Sequence, residues 1–253
     1  MTATSPSLRE RLAARQELIG SFVLELPTRA VTECYALAGF DFLVLDLEHS
    51  SIDLSLLSTL IAACHATGVA CLVRIEAGST SSITRILDMG PTGVMAPGVR
   101  SPGEAAAAVS AARYQPTGRR GLAPIVRHEL QEGSDLKARE AQTVVVVQLE
   151  ALDALPEARA VACTPGMDVV FVGPYDLSQS VGYPGDLDHP EVIAAGEELG
   201  QRVVPHAALG VYLERPEQIR RWRAVGASFF TLRTDGRIFL DACRRTLSEF
   251  REG

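Results

Sequence analysis

Lysine is almost missing from this chain: Lys137 is the one copy in 253 residues, and it lies in the polar stretch 131–140. A Schiff-base lysine needs a desolvated pocket that lowers its pKa. Pyridoxal phosphate chemistry, lysine-dependent aldol chemistry and a Walker-type phosphate loop are therefore not expected. If the protein activates carbonyl compounds, it needs a different electrophile. Cysteine is sparse and odd in number: Cys34, Cys64, Cys71, Cys163 and Cys243 include no Cys-x-x-Cys. That excludes a disulfide framework and a zinc ribbon and fits a reducing, cytoplasmic setting. Excess positive charge is absent too. The formal charge is −7 and no basic stripe stands out, so no nucleic-acid partner is expected. No apolar run reaches membrane length. Residues 1–20 carry Arg9, Glu10, Arg11, Arg15 and Glu17, which leaves no apolar signal core.

The composition that remains, 47% hydrophobic and 22% charged, is that of a chain with a large core. No linker rich in Pro, Gly or Ser divides it, so one domain over 1–253 is expected. Strand-like apolar runs recur at 22–25, 42–46, 71–75, 93–97, 144–150, 169–173, 209–213 and 229–233. Helical patterns at 54–67, 81–89, 102–113, 190–203 and 216–225 alternate with them. Near-continuous apolar strands need cover on both faces, as in a parallel sheet wrapped by helices. Eight such units make a (β/α)8 TIM barrel the leading fold. An open doubly wound sheet is the runner-up, and no Gly-x-Gly-x-x-Gly follows the first strand to support it.

Active sites of such barrels form at the C-terminal ends of the strands. Those ends read Asp46 with Glu48 and His49, then Arg74, Gln148 with Glu150, Gly173-Pro174-Tyr175-Asp176, and Arg233. A rim of structural salt bridges is the plain alternative, but several strand ends with converging charge point to a site. Glu150 and Asp176 end adjacent strands, and two hard oxygen ligands without nearby His or Cys suit Mg²⁺ or Mn²⁺.

The blocks Asp46-Leu47-Glu48-His49, Leu72-Val73-Arg74, Arg113 to Gly121, Gln148-Leu149-Glu150 and Gly173-Pro174-Tyr175-Asp176-Leu177-Ser178 occur in one order. In that order the sequence, from about residue 20 to 235, resembles the HpcH/HpaI family of metal-dependent (class II) pyruvate aldolases. The resemblance implies a barrel of the phosphoenolpyruvate/pyruvate-binding type and a divalent metal (Mg²⁺ or Mn²⁺, with Co²⁺ as a further candidate). It also implies a carbon–carbon lyase joining or parting a pyruvate enolate and an aldehyde. By position, Glu150 and Asp176 match the metal ligands, Arg74 the contact to the keto oxygen, and His49 the base, with Asp46 orienting it. Gln148, Gly173, Tyr175 and Asp176 would contact substrate, Gln148 either directly or by supporting Arg74. Asp88 matches an aspartate linked to the site, with an intersubunit ion pair as the alternative. Arg233 departs from the family pattern. It is expected either to hold an anionic acceptor at the barrel mouth or to pair with Glu25 or Asp235.

Other histidines offer less: His65 reads as packing or surface, His189 as a helix-entry residue, and His128 beside Arg127 as an exposed loop or a lid. The C-terminal segment, with Ile238, Phe239, Leu240 and Leu247 to Phe250, reads as an amphipathic helix for packing on a neighbouring subunit. The family resemblance makes that a homo-oligomer, a hexamer built from dimers. An oxaloacetate decarboxylase or C–C synthase on the same scaffold is the close alternative. A catalytically silent 2-keto-acid-binding barrel is the alternative of a different class, and a pure binder has no need of a base at His49.

Overall fold

A computed structural model describes residues 6–123 and 136–252. Eight parallel strands close into a barrel in sequence order, β1 (Leu18–Val23), β2 (Phe42–Asp46), β3 (Ala70–Arg74), β4 (Gly93–Ala96), β5 (Val144–Leu149), β6 (Val169–Val172), β7 (Ala208–Leu213) and β8 (Phe229–Thr234). Ahead of β1 comes α1 (Leu8–Ala13). Around the barrel follow α2 (Arg29–Leu37), α3 (Leu54–Thr67), α4 (Ile83–Asp88), α5 (Pro102–Ala112), α6 (Leu136–Gln142), α7 (Ala158–Ala162), α8 (Pro174–Val181), α9 (Pro190–Val203), α10 (Gln218–Val225) and α11 (Asp235–Glu252). The (β/α)8 expectation holds. The reading of β1 at 22–25 is too late by four residues, because Gly20 and Ser21 interrupt the apolar run that marks the other strands. α1, α2, α6 and α7 are additions to the expected helices. His128, Arg127 and the side chain of Lys137 lie outside the described residues.

The helix ends follow local chemistry. α3 starts at Asp53, whose carboxylate accepts from Leu56 N–H, and stops at Gly68 with φ 77°. α5 and α9 each begin with proline after a capping residue, Ser101 and His189. His189 is thus a cap, its Nδ1 accepting from Glu191 N–H at 3.3 Å.

Alternation divides the strand residues between two cores. Leu18, Phe22, Phe42, Val44, Leu72, Met95, Val144, Val146, Val169, Phe171 and Phe229 fill the barrel, and Leu8 and Leu12 of α1 join them from below. Phe42 and Phe229 stack at 4.0 Å. Gly20 makes room for them, since a Cβ there would lie 2.4 Å from the Phe42 ring. The opposite parity, with Leu43, Val73, Val145, Val170 and Val211, packs beneath the helices. Among the described residues no helix is long and apolar enough to cross a membrane, and the five cysteines are free.

At the N-terminal face, Arg113 is buried and donates to the Glu140 and Thr143 carbonyls and to Asp168. Arg9 reaches Asp168 as well, at 2.7 Å. A cavity of about 450 Å³, lined in equal part by polar and apolar groups, opens there between α1 and the strand starts. It belongs to this ion-paired base, opposite the strand ends where the charged residues gather.

Candidate active site at the C-terminal mouth

Even-numbered positions of β2, β3 and β5 face inward, so Asp46, Arg74 and Gln148 crown three strands above the apolar filling. Register places Asp46 beside Arg74. The carboxylate takes two bonds from the guanidinium, Arg74 Nε at 2.7 Å and Nη2 at 2.6 Å, with Asp46 fully buried and Arg74 nearly so. Arg74 Nη1 lies 3.3 Å from Glu48 Oε2, and the guanidinium sits 4.8 Å over the Phe22 ring. Burial works against the Arg74 charge, but the Asp46 bonds and the charges of Asp46, Glu48 and Glu150 outweigh it and raise its pKa. Glu48 is lifted above the ordinary carboxylate range by burial, with Arg74 and His49 pulling the other way.

The expectation that Asp46 orients the His49 imidazole needs correction. Both Asp46 oxygens are spent on Arg74 and on the backbone N–H groups of Glu48 (3.0 Å) and His49 (3.2 Å). Asp46 therefore fixes the turn that carries His49. The imidazole projects outward, 62% exposed, with Nε2 3.8 Å from Glu48 Oε2.

Glu150 follows β5 and is half-buried. Gly98 N–H donates to its Oε1 at 2.8 Å. Gly173, just after β6, lets the Glu150 carboxylate lie close against the backbone: a Cβ would fall 2.3 Å from Glu150 Oε2 and would push that carboxylate aside. Burial, then the neighbouring Asp176 carboxylate, push Glu150 up to about 7. Asp176 lies in the first turn of α8, whose cap residue Gly173 supplies no side-chain bond, so the turn's backbone donors are left open toward the mouth. Gln148 is buried with Oε1 lacking a hydrogen-bond partner. Among the described residues no group of three or more His, Cys, Asp or Glu side chains gathers as a metal centre. The donor set is instead two carboxylates, as for a hard cation that completes its shell with water and substrate.

Two expected members are otherwise engaged. Asp88 ends α4, which runs down the outside of the barrel, so it sits near the base. It pairs with Arg120 of the same chain at 2.8 Å, and Arg120 stacks on Tyr114. Arg233 is likewise not free at the mouth but tied down at its edge. Register between β1 and β8 jumps, Gly20 opposing Thr231 but Phe22 opposing Thr234, so a bulge falls at Leu232 and Arg233. Arg233 adopts φ 47°, donates from Nε to the Glu214 carbonyl at 2.8 Å, and pairs with Asp241 of α11. Its partners are neither Glu25 nor Asp235. Asp235 caps the chain after β1, accepting from Leu24, Glu25 and Leu26 N–H. Sequence reading missed Phe22, Tyr212 and Glu214 as parts of the mouth, and placed Glu48 there without a role. Inward parity with Ala208 and Gly210 was the available signal for Tyr212.

Carboxylates and a fixed guanidinium around one barrel mouth make this an enzyme-type site for a small polar substrate. The chain belongs to the HpcH/HpaI aldolase/citrate lyase family, whose model matches residues 19–242. It is 33% identical over 256 residues to the hydroxypyruvate/pyruvate aldolase of Cupriavidus necator, covering 100% of this chain and 94% of that protein. The 5-keto-4-deoxy-D-glucarate aldolase of Escherichia coli is 32% identical over 246 residues, with 95% of each chain covered. Among solved structures, a HpcH/HpaI aldolase/citrate lyase family protein from Burkholderia cenocepacia J2315 superposes with a TM-score of 0.87 at 32% identity, covering 96% of this chain and 98% of that one. The citrate synthase SbnG superposes with a TM-score of 0.85 at 28% identity, and 98% of each chain is covered.

Proposed function

We propose that this protein is a divalent-metal-dependent pyruvate aldolase that makes or breaks a carbon–carbon bond between a pyruvate enolate and an aldehyde. The observation that carries the reading is Glu150, packed over Gly173 and within electrostatic reach of both the Asp176 carboxylate and the Asp46-anchored Arg74. Glu150 and Asp176 would hold Mg²⁺ or Mn²⁺, with Co²⁺ a further candidate. When bound, the ion polarises the 2-keto and carboxylate oxygens of the keto acid.

The chain's own groups do the rest. Backbone N–H groups of Tyr175 and Asp176 at the start of α8 receive the substrate carboxylate, while Pro174 has no N–H to give. Arg74, pinned by two bonds to Asp46, keeps its planar charge directed at the oxygen that becomes anionic on enolisation. Gln148 stands ready as an inward polar group for the substrate. His49 takes the proton from C3 and returns it to the product, its exposure leaving it free to exchange that proton with solvent.

Exchange of the pyruvate C3 protons for deuterium, with and without EDTA, tests this reading. Exchange that needs the divalent ion is expected. Full exchange in metal-stripped protein, or borohydride trapping of pyruvate on Lys137, would overturn it. The similarity to SbnG favours, as second reading, a C–C synthase or oxaloacetate decarboxylase, for which CO₂ release from oxaloacetate is the measurement.

A homo-oligomer, a hexamer built from dimers, completes the proposal. α11 is 18 residues long with only Asp235 buried, and it exposes Phe239, Leu240, Leu247 and Phe250. An isolated helix with an uncovered apolar face is marginal in water, so a second copy is its natural cover. Sedimentation as a concentration-independent monomer would refute that.

A further inference from the structure

We propose that Tyr212, Tyr175 and Glu214 form an acceptor subsite that favours neutral hydroxylated aldehydes over anionic ones, a reading that rests on the pyruvate aldolase assignment. The place is set by ring contacts running outward from Arg74. Its guanidinium covers Phe22, Phe22 meets Tyr212 at 6.3 Å, and Tyr212 meets Tyr175 at 5.7 Å, one residue before Asp176. The two phenols therefore border the position assigned to the keto acid, on the side where its bond partner would enter.

Their polarity is set by Glu214. Tyr212 donates its O–H to Glu214 Oε2 at 2.6 Å, and Tyr175 points to the same oxygen at 3.4 Å. An ionised carboxylate only accepts, so the Tyr212 hydroxyl proton is committed to it and only lone pairs remain there for a ligand. Burial and the adjacent Glu214 raise the Tyr212 phenol above its ordinary pKa. Glu214 is held from three directions: Glu214 N–H donates to Gln218 Oε1 at 3.0 Å, its carbonyl accepts from Arg233, and Oε1 lies 3.5 Å from Arg237 Nε.

A wall of lone pairs attracts hydroxyl donors and repels carboxylate or phosphate. The nearby charges agree. Glu25 and Asp235 stand at the neighbouring β1 and β8 ends, Arg237 is paired to Glu214, and Arg233 is turned to Asp241. Discrimination of this kind arises because a site built to pair with a hydroxyl leaves a polar group unmatched when the hydroxyl is missing.

The test uses the metal-loaded enzyme with pyruvate and three aldehydes: glyceraldehyde, propionaldehyde as its analogue without hydroxyls, and anionic glyoxylate. Wild type should show kcat/KM highest for glyceraldehyde, by roughly tenfold over propionaldehyde. Tyr212→Phe should cut the glyceraldehyde-to-propionaldehyde ratio by about three- to tenfold. Glu214→Gln frees the Tyr212 hydroxyl proton and removes a charge, so the glyoxylate-to-glyceraldehyde ratio should rise; this second variant carries the test if the first does not fold. A wild type that prefers glyoxylate, or variants that slow all three aldehydes in proportion, would overturn the subsite. Wild-type C3 exchange without acceptor separates the two levels. Exchange without the expected selectivity removes the subsite alone, and absence of exchange removes the aldolase reading together with it.

Discussion

The two arcs of the barrel mouth obey different rules. Across β2, β3, β5 and β6 the pairing is continuous, so strand parity alone sends Asp46, Arg74 and Gln148 inward and sets Glu150 over Gly173. At the β8–β1 seam one extra residue breaks the ladder. Beyond Thr231 parity no longer states which side chain faces the mouth. A regular sheet converts sequence position into direction, and a bulge cancels that conversion. In this chain the regular arc carries the groups proposed for the shared donor chemistry. The seam adjoins the wall proposed to choose the acceptor.

Removing the carboxylates tests the regular arc most severely. Glu150→Ala or Asp176→Ala should abolish metal-dependent turnover while circular dichroism retains the barrel signal, because both side chains lie at the rim outside either apolar core. Retained turnover in either variant would break the assignment. The next largest effect is expected at His49. His49→Ala should slow pyruvate C3 exchange by roughly 10² to 10⁴, the range of a lost general base. Metal affinity measured by titration should hardly move, since His49 is not a proposed ligand. Exchange at the wild-type rate would reduce His49 to a turn residue.

Asp46 tests whether the arc is rigid because of its buried ion pair. Asp46→Ala strands the Arg74 charge and frees two backbone donors, with Glu48 at 3.3 Å the one ion pair it keeps among the described residues. Loss of one partner from such a pair costs about 3–5 kcal/mol, a fall in Tm on the order of 10 °C for a chain of this size. An unchanged Tm would show that Glu48 alone holds the arginine. This pair also marks how far the sequence could be read. Asp46 and Arg74 stand out as ionisable residues ending apolar strands, so their presence at the mouth is legible. That they bind each other, and that Asp46 thereby has no oxygen left for the His49 ring, follows only from the β2–β3 register. Helix ends at Asp53, Gly68, Ser101 and His189 were legible because capping is local. Asp88 was less legible for the opposite reason: its neighbours in sequence do not say that, within its own chain, its helix carries it down beside Arg120.

The smallest expected effect concerns Arg233. A strand-end arginine of inward parity reads as an anchor for an anionic acceptor, and on that reading Arg233→Ala would selectively weaken acidic aldehydes. The bulge ties the residue to Asp241 and to the Glu214 carbonyl, so its influence on the mouth passes through the loop that carries Glu214. Losing one such bond to a half-buried carbonyl is worth about 0.5–1.5 kcal/mol. Part of that is returned because an alanine still bears the cost of the left-handed backbone but no longer confines a long side chain. Arg233→Ala should therefore lower the preference for glyceraldehyde over glyoxylate by a few-fold at most, less than Glu214→Gln does, and in the same direction. The kcat/KM ratio for the two aldehydes is the measurement. A fall in activity confined to glyoxylate would mean that the guanidinium reaches the substrate after all, and the seam would then share the electrostatics of the regular arc.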